Sequence, residues 1–150
     1  MIIAIDGPAG SGKSTTAKLL AEKLKFIYLD TGAMYRAITY YFLEHSINLK
    51  NPEQVNQALL DINLSIYFNN EFEVHINGKN INNKIRSTEV NDFVSSISKI
   101  DSVRKRMVKT QRLFSENRNI VIEGRDIGSY VFPDAEFKFF LVADVFERAK

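Results

Sequence analysis

Apolar positions along this chain change period several times, and each change marks an element. Ile2-Ile3-Ala4-Ile5 is an unbroken apolar run of the kind buried on both faces of a parallel sheet, and Asp6 ends it. From Ser14 to about Lys25 the spacing is helical. Ala17, Leu20, Ala21 and Leu24 form one stripe, and Lys18, Glu22, Lys23 and Lys25 take the remaining surface. Phe26-Ile27-Tyr28-Leu29 is a second strand candidate. Asp30-Thr31-Gly32 reads as a turn that offers a cap to a helix from Ala33 to about His45, where Tyr40, Tyr41 and Phe42 read as packing residues. Asn51-Pro52-Glu53 restarts a helix, with Asn51 as its cap, Pro52 at the first helical position and Val55, Leu59 and Leu60 as its apolar side.

Between Asp61 and Arg86 the period falls to two. Leu64, Ile66 and Phe68 alternate with Ser65 and Tyr67, and Phe72, Val74 and Ile76 alternate with Glu73 and His75. This predicts a hairpin turning at Asn69-Asn70, and Asn77-Gly78 predicts a second turn into a short strand around Asn80–Ile81. A small antiparallel sheet thus interrupts an otherwise α/β pattern, as an inserted subdomain does. Ser87 to Phe114 reads as helix in two pieces, with Asp101 or Ser102 capping the second. Asn119-Ile120-Val121-Ile122 is a third strand of parallel type, and Phe137 to Val142 a fourth, after a turn at Phe132-Pro133-Asp134-Ala135. Ala143-Asp144 then opens a helix at Val145 that reaches Lys150 with no stop signal, which reads as a chain ending inside an element.

Composition narrows the class. The 150 residues are 45% hydrophobic and 25% charged, as in an ordinary globular domain. There are no cysteines, hence no disulfides or thiolate metal sites, and His45 and His75 are too few and too distant to predict zinc. The N-terminal apolar run lacks a basic flank and a cleavage site, so it reads as a strand and the expectation is a soluble cytoplasmic protein without membrane partners. A formal net charge of +2 is compatible with a phosphorylated small molecule and does not call for nucleic acid.

The chemistry is concentrated in two loops. Gly7-Pro8-Ala9-Gly10-Ser11-Gly12-Lys13-Ser14 follows the first strand, precedes the first helix and fits G-x-x-x-x-G-K-[ST]. Glycines at this spacing let the turn coil until backbone N–H groups point inward at phosphate oxygens, and a side chain would block that approach. Lys13 supplies a mobile charge for the β- and γ-phosphates, Ser14 a hydroxyl for Mg²⁺, and the helix behind them its positive end. Thr15, where the helical pattern takes over, is counted with the phosphate site. The second loop, Glu123-Gly124-Arg125-Asp126-Ile127-Gly128, follows the third strand. Ligands of doubly wound sheets gather beyond the carboxyl ends of the strands, where the two loops meet. Glu123 could hold Mg²⁺ through water, Arg125 could clamp a phosphate, and Asp126 could accept hydrogen bonds from a base or a sugar. The alternative is an Arg–Asp pair closing a surface turn. Arg104, Lys105, Arg106, Lys109 and Arg112 give one helix a basic face, of which most reads as solvated and one or two as anion or base contacts.

Together, Gly7–Ser14, Asp30-Thr31-Gly32-Ala33-Met34-Tyr35-Arg36, Val103-Arg104 and Glu123–Gly128 closely resemble the bacterial cytidylate kinases, and the resemblance covers essentially every residue present. It implies the P-loop nucleoside-monophosphate-kinase fold: a parallel sheet core with helices on both faces and a small antiparallel β insertion. The expected organisation is a core of about 1–30 and 115–150 and a monophosphate-binding region of about 31–114 with the insertion near 62–86. The implied activity is transfer of the ATP γ-phosphate to CMP or dCMP with Mg²⁺, in pyrimidine nucleotide metabolism, by a monomer. The resemblance further implies that Lys13, Arg36 and Arg125 are catalytic, that Arg36 and Arg125 hold the monophosphate with Thr31 beside it, and that Ser95, Arg104 and Asp126 surround the cytosine.

Members of that family continue beyond the helix expected at Val145 into a lid, a further strand and a terminal helix, so the chain is expected to be truncated and its transfer impaired. Two other readings stand beside the kinase. One is a small P-loop kinase with another acceptor. The other is a nucleotide- or nucleic-acid-binding fragment without turnover.

Overall fold

The computed structural model describes residues 1–69 and 71–142. In chain order the elements are β1 (Ile2–Asp6), α1 (Lys13–Leu24), β2 (Ile27–Asp30), α2 (Thr31–Glu44), α3 (Pro52–Asp61), β3 (Leu64–Asn69), β4 (Glu71–Ile76), β5 (Lys79–Asn80), α4 (Thr88–Ser98), α5 (Asp101–Ser115), β6 (Ile120–Gly124), a single π turn (Ile127–Val131) and β7 (Phe137–Phe140). They divide into two compact units, Met1–Thr31 with Thr110–Lys150, and Gly32–Lys109.

The first unit is built on a four-stranded sheet in the order β2-β6-β1-β7, with every neighbouring pair parallel. Apolar strands with no polar alternation require cover on both faces, and the burial agrees. Ile3, Ile5 and Val121 face Ala17 and Ala21 of α1, with Leu20, Phe26, Tyr28 and Leu141 packed around them. Ala4, Leu29, Ile120 and Ile122, which alternate with those positions, are wholly buried as well. Each of the isoleucine, leucine and valine side chains contributes roughly 1.5–3 kcal/mol on burial. The mixed α/β class with a parallel sheet flanked by helices and a separate small antiparallel sheet is the one the sequence predicts.

Strand ends depart from the expectation. β6 runs two residues further than Asn119–Ile122, so that Glu123 and Gly124 lie in the sheet and not in the following loop. Asp30 likewise belongs to β2, and α2 begins at Thr31 without the expected turn at Asp30-Thr31-Gly32. The cause is pairing: Asp30 stays in register with Glu123, and Thr31 Oγ1 donates to the Glu123 carbonyl at 2.7 Å. β7 stops at Phe140, two residues short of the expected end. Its side chains are exposed, Phe140 at 67%, and among the described residues no strand pairs with its outer edge. The helix expected at Val145 lies outside the described residues, as does Asn70 of the expected hairpin turn.

In the second unit, Met34, Ala37, Ile38, Tyr41 and Phe42 form the buried stripe of α2. The hairpin pairs Leu64 with Ile76 and Phe68 with Phe72, and the Asn77-Gly78 turn leads into β5. Asn82 then extends the sheet with its side chain, accepting from Val74 N–H at 2.8 Å and donating to Phe72 O at 3.0 Å. Neither Asp101 nor Ser102 is a cap. Asp101 is already in the first turn of α5, where its carboxylate favours the helix dipole and pairs with Lys105 at 2.7 Å. Among the described residues no helix is long and apolar enough to cross a membrane.

The start of α3 follows the sequence closely. The Asn51 side chain accepts from Glu53 N–H at 3.0 Å and Gln54 N–H at 3.3 Å, with Pro52 where a missing N–H costs nothing. Asn51→Ala is expected to lower the unfolding free energy by about 1 kcal/mol, seen as a lower urea midpoint with an unchanged slope. An unmoved midpoint would mean that this cap contributes nothing.

Candidate active site

All of the phosphate-loop residues lie in the first unit, Gly7 to Gly12 between β1 and α1 and Lys13 and Ser14 in the first turn of α1. Gly12 sits at φ 81°, a left-handed conformation that favours glycine, and no side chain caps the helix behind it. The first turn of α1 holds no acidic residue, so its N–H groups and dipole present uncompensated positive charge. A Cβ at Gly7 would lie 2.5 Å from Leu141 O and 2.8 Å from Ser11 Oγ, a space that admits no side chain. Lys13 folds back over the loop and donates to Pro8 O at 3.0 Å. Ser11 Oγ is buried and without a hydrogen-bond partner among the described residues, as suits a donor awaiting an anion.

Beneath the first turn of α1 lies Glu123, only 3% exposed. The pleat puts it there: Val121 faces α1, and Glu123, two residues on, faces the same way. Its Oε2 accepts from Ser14 Oγ at 2.9 Å, and its Oε1 accepts from Tyr28 Oη. Burial, reinforced by the Asp30 carboxylate and the hydrogen bond to Glu123, pushes the Tyr28 phenol far above its usual range and keeps it a donor. A hydroxyl and one buried carboxylate are hard oxygen donors of the kind that fits Mg²⁺. No cluster of three or more His, Cys, Asp or Glu among the described residues could cage a metal ion unaided.

The second loop leaves β6 beside the first. Asp6 and Gly124 are register partners, so both loops emerge from adjacent strand ends. Asp6 is 8% exposed and accepts from Ile127 N–H at 2.7 Å and Gly128 N–H at 2.8 Å. The turn is thus closed by Asp6 together with main-chain bonds from Tyr130 and Val131 N–H to Asp126 O. Arg125 is exposed and Asp126 half-buried. Thr31 is 4% exposed, its hydroxyl proton engaged by Glu123 O.

The remaining candidates belong to the second unit. Arg36 is half-buried on α2, Ser95 exposed on α4 and Arg104 half-buried on α5. Of the basic face of α5, Lys105 is held by Asp101, Arg106 reaches Ile62 O at 3.4 Å, and Arg112, in the first unit, donates to Val131 O at 2.9 Å and Tyr130 O at 3.1 Å. Those three cations have partners within the chain, although the Lys105–Asp101 pair stays largely exposed, as the solvated reading of this face expects.

The chain matches the cytidylate kinase family model over residues 3–150. It belongs to the cytidylate kinase family. It is 50% identical over 152 residues to the cytidylate kinase of Cytophaga hutchinsonii, covering 99% of this chain and 65% of that one. It is 48% identical to the cytidylate kinase of Fusobacterium nucleatum, covering all of this chain and 67% of the relative. A bifunctional pantoate ligase/cytidylate kinase of Prochlorococcus marinus is 50% identical over 153 residues, 30% of its length. The chain thus spans about two thirds of the length of the single-function cytidylate kinases it matches.

Sequence reasoning missed two residues that support the two loops. Tyr28 reads as packing because its ring is packing, and only its hydroxyl does more. Asp6 reads as a strand terminator. The signal for both was the strand register, which the sequence does not display.

Replacing Asp6 by Asn keeps the shape but turns one acceptor into a donor facing an N–H. Asp6→Asn is therefore expected to cost about 1–3 kcal/mol of stability in urea unfolding, the cost of one buried amide left unpaired. Wild-type stability in that variant would show that the two N–H bonds do not depend on the carboxylate.

Proposed function

We propose that the protein transfers the γ-phosphoryl group of ATP to CMP or dCMP. The observation that carries this reading is the pairing of Asp6 with Gly124 in a chain of the cytidylate kinase family, because it sets the phosphate loop and the Glu123–Gly128 loop at neighbouring strand ends. Gly7, Pro8, Ala9, Gly10, Ser11, Gly12 and Thr15 surround the donor phosphates in this proposal, and Lys13 neutralises them. Ser14, and Glu123 through water, would hold Mg²⁺, which supplies charge neutralisation on the donor phosphates when bound.

Arg36 and Arg125 are assigned to the acceptor monophosphate, with Thr31 beside it, and Ser95, Arg104 and Asp126 to the base. Cytosine offers an amino donor at N4 and acceptors at N3 and O2, which suits a carboxylate at one edge and a guanidinium at the other. Uracil would set an acceptor against Asp126. The acceptor phosphate is already ionised, so in-line attack on the γ-phosphorus needs no general base, and catalysis is positioning and charge neutralisation. We place this activity in the cytoplasm, on a monomer with no nucleic-acid or membrane partner. The internal partners of Lys105, Arg106 and Arg112 support that placement against a nucleic-acid surface.

A coupled assay with ATP, Mg²⁺ and a panel of CMP, dCMP, UMP and AMP, beside calorimetric binding of CMP, tests the reading. Transfer to CMP and dCMP above the others is expected. Binding of CMP without transfer would favour a nucleotide-binding fragment, and preference for another acceptor would favour a different small kinase. Lys13→Met should reduce transfer by at least about a hundredfold with an unchanged melting curve; full activity in it would contradict the phosphate-loop role. Asp126→Asn should lower CMP turnover at least about tenfold and narrow the CMP-to-UMP ratio. If the ratio holds, Asp126 does not read the base.

A further inference from the structure

We infer that Tyr28 is a positioning residue for the metal-binding side of the phosphate loop, acting through Glu123 on the Ser14 hydroxyl. This rests on the phosphate-loop reading given above. A serine hydroxyl that ligates a cation turns a lone pair toward it and must send its proton elsewhere. In this structure the proton goes to Glu123 Oε2, at 2.9 Å. The direction in which Ser14 offers its lone pairs is therefore set by where Oε2 stands.

A glutamate side chain has three rotatable bonds, and burial alone does not fix its carboxylate plane. Tyr28 does so from the other side. Its Oη donates to Oε1, so that each carboxylate oxygen receives one hydroxyl. The phenol itself has little freedom. Its ring packs on the cluster of Ile3, Ile5, Ala17, Ala21 and Val121, and Lys18 Nζ lies 5.6 Å from the ring centroid. The main chain of Glu123 is equally fixed, between Ile5 of β1 and Asp30 of β2. Tyr28 pairs with Val121, so Tyr28 and Glu123 sit on adjacent strands two residues out of register and on the same face, and the phenol reaches diagonally across the pair. Tyr28 touches neither substrate nor ion in this arrangement; it holds the group that holds Ser14.

Tyr28→Phe keeps the ring and its packing and removes only the hydroxyl. Calorimetric binding of ADP is measured for wild type and variant, with Mg²⁺ and with EDTA. The expected result is a fall of about tenfold in the affinity for ADP with Mg²⁺, the usual scale for a residue that orients a metal ligand, and no change in EDTA. Introduced into a Glu123→Gln background, Tyr28→Phe should have no further effect on the response to Mg²⁺, because the group it positions has been replaced. A lower melting temperature with a wild-type response to Mg²⁺ would show that Tyr28 is merely structural and would overturn the inference. Equal weakening with and without Mg²⁺ would overturn it too, since the effect would then reach the whole loop. If Mg²⁺ fails to tighten ADP binding in the wild-type protein, the reading of Ser14 and Glu123 as the metal side fails first and this inference falls with it.

Discussion

A carboxylate buried at the end of a central strand is costly unless hydrogen bonds replace the water it has lost, and this constraint shapes the first unit around Glu123. The side chain is 3% exposed, between β1 and β2 and beneath the first turn of α1. Its three neighbours each give up a hydrogen: Ser14 and Tyr28 to the carboxylate, Thr31 to the main-chain carbonyl. Slipping β6 by one residue against its neighbours would carry the carboxylate to the opposite face, away from Ser14 and Tyr28. Aliphatic strand residues tolerate such a slip far better, since both faces are apolar. The register of this sheet is therefore specified by its polar ends more than by its apolar middle.

Asp6 solves the same problem on the other face. Ile5 packs toward α1, so Asp6, one residue on, points away from it and finds the N–H groups of Ile127 and Gly128. Neighbouring strands thus end in buried acids of opposite direction. Each anchors one loop, Glu123 the start of α1 behind the phosphate loop and Asp6 the turn that follows Asp126. Loops that bind phosphate are rich in glycine and have little packing of their own, so their order must come from rigid elements beneath them.

How far the sequence discloses this depends on which physical signal carries each feature. The phosphate loop is legible because its glycines and Lys13-Ser14 answer a local geometric demand. The stripes of α1 and α2, the capping of α3 by Asn51 and the Asn77-Gly78 turn are legible for the same reason, since each is settled within a few residues. Strand ends are not. Glu123, Gly124 and Asp30 look like loop residues because they are polar or glycine, and only partners more than ninety positions away keep them in the sheet. The start of α2 at Thr31 was hidden likewise, because the turn residues Asp30 and Gly32 have local preferences that pairing with β6 overrides. The fold class and the two loops could be read, whereas the hydroxyl and carboxylate network beneath them could not.

The two buried acids also bear on what kind of chemistry suits this core. Each carboxylate is occupied as an acceptor, Glu123 by two hydroxyls and Asp6 by two amides, and neither stands ready to take a proton from a substrate. A reaction that had to deprotonate an alcohol would find no base among them without breaking a bond that holds a loop in place. Phosphoryl transfer to a nucleoside monophosphate makes no such demand, since its nucleophile is an oxygen already ionised at neutral pH. What it does demand is a fixed set of donors around concentrated negative charge. In the proposed reaction the backbone N–H groups of the phosphate loop, the Lys13 ammonium and the uncapped end of α1 would provide them, and the acids would serve by holding those donors still.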